Sequence, residues 1–459
     1  MVQYKLNMDY KAYFKGKKIT VMGLGLLGRG VGVVNFLADC GANLIVTDLK
    51  TSEQLAASLV QIGERANVKF VLGAHRLEDF RERDLIIKAA GVPMDSEHVA
   101  QALADGIPVK MESALFAELT EATLIGITGT RGKSTVTHFL YEFLKKYNKA
   151  GRVCLGGNVK GLATLPLLAE AKKGDLVVLE LDSWQLQGFG DSKISPHIAV
   201  FTNFLSDHLN YYMRGGNSEK QAMELYFNDK VNIFRYQNKS DYLVTSAEVY
   251  SIVAKKYPLL QSEIVVVDKK DLSADWKVRI PGEHNRYNLA LGRAVLKVLN
   301  FSEEEIKNGV EEFAGVPGRL QLIREKNGIK IYDETTSTTP VACIAALEAL
   351  GDKKEKNIVL IMGGADKLID MSKLLKILPD YCRSVVLLPG TGTDKIREKM
   401  NGKKMDMLES SNLEEAVKKA FAATKEGDSL VLSPAFASFG LFKNEYDRGE
   451  QFDAIVKKL

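Results

Sequence analysis

The chain has 459 residues, 46% hydrophobic and 26% charged, a globular composition that excludes a disordered chain. At roughly 100–200 residues per domain, this length argues for about three domains. Lys+Arg at 62 against Asp+Glu at 58 leaves a net charge of +4, too balanced for a dedicated nucleic-acid binder.

The first segment alternates short apolar runs with longer amphipathic stretches. Residues 18–22 (KITVM), 44–47 (LIVT) and 85–87 (LII) read as buried strands, with helices between them. That alternation implies βαβ units on a parallel sheet. Gly23-Leu24-Gly25-Leu26-Leu27-Gly28 follows the first strand and opens a helix, with Asp48 about 20 residues on. Such glycines permit a tight turn and a close approach of phosphate to a helix N-terminus. The pattern fits NAD, and it also fits a Rossmann-like fold that binds another nucleotide.

A second strand-to-helix unit starts at Ala122, after a junction at 119–123 (LTEAT). ATLIGIT reads as a strand, and the helix is expected from Thr135 to Lys146. Between them, Gly129-Thr130-Arg131-Gly132-Lys133-Ser134-Thr135 resembles a phosphate-binding loop, although Ile127 stands where the strict pattern has glycine. Its amides and the Lys133 ammonium would hold triphosphate oxygens, with the Ser134 hydroxyl facing Mg²⁺. Strands at 176–181 and 198–202 follow. Glu180 at a strand end is a natural metal ligand, and Asp182 would share its face if the strand continues. Asp207 and His208, in NFLSDHLN, would reach the same sheet edge. Lys230 sits in a helical stretch and by spacing alone is a solvated lysine. GEHNRYN precedes a helix, where Asn285 would cap it or meet an adenine edge.

A third set begins after Gly315-Val316-Pro317-Gly318, with strands at 329–332, 358–362, 384–388 and 429–432. Arg319 lies at its start, and Asp333 precedes a hydroxyl-rich turn, Thr335 to Thr339. No internal repeat is visible. The expected fold is α/β with three domains, at 1–118, 119–316 and 317–459: a Rossmann-like domain, a P-loop domain with a mostly parallel sheet, and a second Rossmann-like domain. The four cysteines, Cys40, Cys154, Cys343 and Cys382, form no C-x-x-C and fit a reducing compartment. With no signal-peptide core at the N-terminus and no long apolar run, a cytoplasmic protein without membrane or nucleic-acid partners is expected.

The order of these motifs resembles the Mur ligase family, ATP-dependent amide-forming enzymes of cell-wall synthesis. The resemblance rests on GTRGKST, LEL followed by QL, NFLSDHLN, GEHNRYN, VPGRL, GGADK and LSPAFASFGLFKNEYDRGEQF, and covers nearly the whole chain. The last segment, with GLGLLG, is most similar to the branch that adds D-glutamate to UDP-N-acetylmuramoyl-L-alanine. The resemblance implies small-molecule substrates, a monomer, and ATP with two Mg²⁺ ions, Mn²⁺ being an alternative. It places Gly25, Leu26, Leu27, Gly28, Asp48 and Gly91 at the UDP group. It places Gly129, Thr130, Gly132, Lys133, Ser134, Thr135, Asn285, Asn288, Arg319 and Asp333 at ATP. Ser134, Glu180, His208 and a carbamylated Lys230 would hold metal, and Asn158 would contact substrate. Ser337, Lys367, Ser438 and Phe439 would hold the amino acid. An acyl phosphate would form first, and the C-terminal domain would then have to swing in with the amine. Four positions depart from the family pattern: Arg131 for asparagine, Asp182 for serine, Thr335 for lysine and Glu445 for an aromatic residue. The last two make the amino-acid pocket less cationic. The competing readings are a ligase for another amino acid and an NAD-dependent oxidoreductase.

Overall fold

The structure is a computed structural model that describes residues 9–459 except 27, 208, 368 and 401–404. The chain forms three sheets, each flanked by helices. The first contains β1 (Lys18–Met22), β2 (Asn43–Asp48), β3 (Val68–Leu72), β4 (Leu85–Lys88) and β5 (Val109–Lys110), in the order β3-β2-β1-β4-β5. The second contains β6 (Thr123–Thr128), β7 (Val153–Gly157), β8 (Leu176–Glu180), β9 (Ile198–Phe201), β10 (Tyr242–Ser246) and β11 (Glu263–Val267), ordered β11-β10-β9-β6-β8-β7. All described pairs in these two sheets are parallel.

The third sheet contains β12 (Gln321–Lys326), β13 (Ile329–Asp333), β14 (Ile358–Met362), β15 (Cys382–Leu387), β16 (Asp406–Glu409) and β17 (Ser429–Leu432), ordered β12-β13-β17-β14-β15-β16. It is parallel except for β12, which pairs antiparallel with β13 at the edge. The α/β class and the three sheets agree with the sequence expectation. By compactness the chain divides into two units: Met1–Leu272 with Asn288–Ile306, and Ser273–Tyr287 with Lys307–Leu459. The first two sheets lie in the first unit, and the third sheet in the second.

Central strands such as β14 (IVLIM) are buried along their full length, because helices cover both faces of a parallel sheet. The central strands are thus open only at their ends, and in such folds the loops after the strand C-termini form the ligand crevice. The four cysteines are free and buried: Cys40 caps a helix on the first sheet, Cys154 is in β7, Cys343 in the helix Pro340–Leu350, and Cys382 opens β15. Among the described residues, no helix is long and apolar enough to cross a membrane.

Three sequence expectations need correction. The strand ending at Glu180 does not continue to Asp182. Asp182 instead caps the helix Ser183–Asp191, its side chain accepting from Gln185 N in a capping box. GEHNRYN does not precede its helix but supplies the first turns of Glu283–Val298, and Asn285 donates to Pro281 O at 2.8 Å from inside it. The helix expected from Thr135 starts two residues earlier, at Lys133.

Candidate active site

β1 ends at Met22, and the chain turns through the glycine loop into the helix Arg29–Asp39. Gly28 caps that helix at φ 84°, a left-handed geometry that glycine adopts without Cβ strain. Asp48, at the end of β2, accepts from Leu24 N at 2.9 Å and Gly25 N at 3.0 Å. Its other oxygen accepts from Lys50 N at 2.9 Å. Burial pushes the Asp48 pKa up, but the amides of Gly25, Lys50 and Leu24 and the Lys50 ammonium outweigh it, and the net shift is downward. Asp48 thus holds the loop in shape. A dinucleotide site would instead turn this acid toward a ribose hydroxyl.

Beside the loop lies a cavity of about 430 Å³, with Gly25, Leu26, Asp48, Gly91 and Asn158 in its wall. That volume falls in the range of small-molecule sites. Leu26 is on its rim, 59% exposed. Leu27 lies outside the described residues. Arg29, which the sequence reading passed over, reaches across the cavity and donates to Asn158 Oδ1 at 3.1 Å. Its signal was its place, the first residue after Gly28 in a helix whose N-terminus faces the loop.

The second sheet places its motifs side by side because β9, β6 and β8 are neighbours. The loop after β6 is fastened to the segment after β9. Thr130 N donates to Asn203 O at 2.9 Å, Arg131 N to Asn203 Oδ1 at 2.9 Å, and Thr202 Oγ1 to Arg131 O at 2.6 Å. Arg131 also pairs with Asp207 at 4.0 Å. Gly132 caps the helix Lys133–Tyr147 at φ 84°, with the Asn288 amide packed directly against it. Ser134 is buried in the first turn and Thr135 follows it. Lys133 Nζ donates to Gly129 O at 3.0 Å and Thr130 O at 3.1 Å.

Lys230 is not the solvated lysine its spacing suggested. It ends the helix Glu219–Lys230, is 1% exposed, and donates to the same Gly129 O at 2.8 Å. Burial, followed by the nearby Lys133, pushes its pKa well below the usual lysine value. Glu180 is buried at the end of β8, and its carboxylate makes no hydrogen bond among the described residues. An acid left without a protein donor beside a phosphate loop suits a hard cation. Among the described residues no three His, Cys, Asp or Glu side chains gather as a metal cluster, and His208 lies outside them. Asn158, after β7, completes the edge: its N–H donates to Glu180 O at 2.6 Å.

In the second unit the turns after β13, β17 and β14 adjoin, again because the strands are neighbours. Ser433 Oγ donates to Ser337 Oγ at 2.9 Å, Ala435 N to Ser337 O at 2.8 Å, and Ala365 bridges Ala437. Lys367 Nζ donates to Thr338 Oγ1 at 2.9 Å. Ser438 is buried and Phe439 is 67% exposed. Ser337, Lys367 and Ser438 therefore share one edge. Arg319 is exposed in a tight turn closed by its N–H to Val316 O. Asp333 is buried, and desolvation is the chief cause that pushes its carboxyl up to about 7. Thr335 stands where the family pattern has a lysine, and a cation reaches that turn from elsewhere. Arg448, fully buried in the helix Glu445–Val456, donates to Thr335 Oγ1 at 3.1 Å and Thr335 O at 2.7 Å. Only the fold brings these residues together.

Comparison with known proteins agrees with this arrangement. Residues 17–110 match the model of the Mur ligase MurD-like N-terminal domain, 127–258 the Mur ligase middle domain, and 318–436 the Mur ligase glutamate ligase domain. A curated protein of Roseiflexus sp. strain RS-1, UDP-N-acetylmuramoylalanine--D-glutamate ligase, is 32% identical over 97% of this chain and 99% of its own. Among solved structures, UDP-N-acetylmuramate-alanine ligase MurC from Thermotoga maritima superposes with a TM-score of 0.59 at 19% identity, covering 96% of this chain and 99% of that one. MurF ligase from Thermotoga maritima, in complex with ADP, gives 0.55 at 18% identity, covering 98% and 97%. With a relative this similar along nearly the whole of both chains, and all three sheets matched by domain models in the same order, the chain belongs to the Mur ligase family.

Proposed function

We propose that the protein is an ATP-dependent, ADP-forming ligase that joins D-glutamate to the carboxylate of UDP-N-acetylmuramoyl-L-alanine, as a cytoplasmic monomer in cell-wall precursor synthesis. The observation that carries this reading is Asn158. It lines the nucleotide-sized cavity, holds Arg29 there, and abuts Glu180 at the edge that carries the phosphate loop. A substrate whose diphosphate sits at the glycine loop would extend its far end toward that edge. The names of the curated relatives support the same activity.

A carboxylate is a poor electrophile. Transfer of the γ-phosphoryl group to it makes an acyl phosphate and releases ADP. The amine nitrogen of D-glutamate then attacks the acyl carbon, phosphate leaves, and an amide remains. In this chain the loop amides and Lys133 would hold the triphosphate oxygens, whose charge must be neutralised before transfer. Burial, and then Lys133, lowers the Lys230 pKa and so favours the neutral amine, the form from which reaction with CO₂ would give an anionic carbamate. Ser134, Glu180, His208 and that carbamate would hold two Mg²⁺ or Mn²⁺ ions, which when bound supply further charge neutralisation at the phosphates. Asn285, Asn288, Arg319 and Asp333 would serve the adenosine end. Ser337, Lys367, Ser438 and Phe439 would hold the amino acid.

Phosphate release from ATP with UDP-N-acetylmuramoyl-L-alanine tests the reading directly. Turnover that depends on D-glutamate is expected. Release with another amino acid only would mean that Thr335 and Glu445 mark a changed specificity. NADH binding without ATP turnover would sink the ligase reading.

A further inference from the structure

Lys88 is one wall residue of the cavity that neither the glycine loop nor the phosphate loop uses. It ends β4, lines the cavity with Gln185 and Met111, and is 2% exposed. Its ammonium donates to Val92 O at 2.8 Å, and among the described residues this is its one hydrogen bond. Asp191, Asp182 and Asp229 act on it from beyond ion-pair distance. Two of them are engaged elsewhere: Asp182 accepts from Gln185 N, and Asp229 accepts from Gln187 and Tyr212. Burial brings the Lys88 pKa down to about 8, with the three acids pulling the other way.

A buried cation with two of its three N–H groups unmatched is costly to the fold. The strand does not need it. Ile86, two residues back on the same face, packs with Met22 and Phe80, and an apolar residue at 88 would continue that pattern. A charge kept at such a cost in a cavity wall points to a ligand that matches it.

We propose that Lys88 is a substrate-anchoring residue that takes an anionic oxygen of the nucleotide sugar, either from its diphosphate or from its terminal carboxylate. This rests on the ligase reading above, because that reading names the occupant of the cavity. The ligand oxygen completes the ammonium's hydrogen bonds and restores its charge.

The test is calorimetric titration of Lys88→Met and Lys88→Arg with UDP, UDP-N-acetylglucosamine and UDP-N-acetylmuramoyl-L-alanine, beside a thermal melt of each variant. Lys88→Met should melt at or above the wild-type temperature, because it removes a buried charge. It should bind the full substrate on the order of 10–100-fold more weakly, as expected for one lost charge-assisted contact. Lys88→Arg should recover most of that affinity. A loss already present with UDP assigns the diphosphate. A loss confined to the full substrate, with UDP and UDP-N-acetylglucosamine unchanged, assigns the carboxylate. Wild-type affinity of Lys88→Met for all three ligands would overturn the proposal, as would a lowered melt with unchanged binding. If Lys88→Met does not fold, Lys88→Gln takes its place with the same expected outcomes. A wild-type protein that binds none of the three would instead sink the ligase reading, so the two failures are distinguishable.

Discussion

At the scale of single residues, this molecule places ionisable groups where water cannot reach them, so that burial first and neighbouring charges second move their pKa values. Lys133 and Lys230 converge on the carbonyl of Gly129, so the charge of each disfavours the charge of the other. Asp333 is the acidic counterpart. Its ordinary value of 3.8 is pushed to about 7, chiefly by burial, with Asp453 adding to the rise and Thr335 N and Arg448 opposing it. A raised carboxyl contributes stability that is fully present below about pH 4 and is lost as pH climbs through about 7, because the unfolded chain releases its proton first. Asp333→Asn cannot titrate. Its unfolding free energy relative to wild type should therefore grow between pH 4 and pH 7 and then level off, by on the order of 2–4 kcal/mol. Urea unfolding of both proteins across that range measures it, and a difference independent of pH would refute the assignment.

At the scale of elements, one device is used twice. A parallel strand runs into a glycine at φ 84°, and a helix opens with its amides facing the crevice, at Gly28 after β1 and at Gly132 after β6. The second copy is the more constrained, because a Cβ on Gly132 would run into the side-chain amide of Asn288. Gly132→Ala should therefore cost about 1–2 kcal/mol from the left-handed backbone alone. ATP affinity should fall further, since Asn288 or the loop must move. Urea melts and ATP titration of the variant measure the two effects separately. A variant that binds ATP as tightly as wild type would show that the loop tolerates displacement.

At the scale of the whole molecule, what was legible in the sequence was whatever an uninterrupted local pattern could carry. β14 is apolar throughout, β6 and β8 are buried runs with an apolar centre, and glycines follow directly on β6 and β14. β12 (QLIREK) was missed because it is a half-exposed edge strand whose polar residues break the alternation, and β16 (DMLE) for the same reason. Lys230 looked solvated because sequence spacing cannot report which carbonyl a lysine meets 101 residues away. Arg448 and Lys88 left no local sign at all, since their roles depend on turns and cavity walls assembled from distant segments. The fold thus follows from short-range pattern, and the chemistry from long-range meetings. The same separation has a practical use at the cysteines. Burial lifts every thiol, Cys40 to about 11 and Cys343 to about 12, so the reactive thiolate is scarce in the folded chain at neutral pH. Maleimide labelling should then proceed only through opening, with Cys40 reporting on the first sheet, Cys154 on the second, and Cys343 and Cys382 on the third. Labelling of one sheet before the others, read by peptide mass spectrometry, would rank their opening free energies in the unmodified protein: the chain carries its own unfolding clock, with a hand for each sheet.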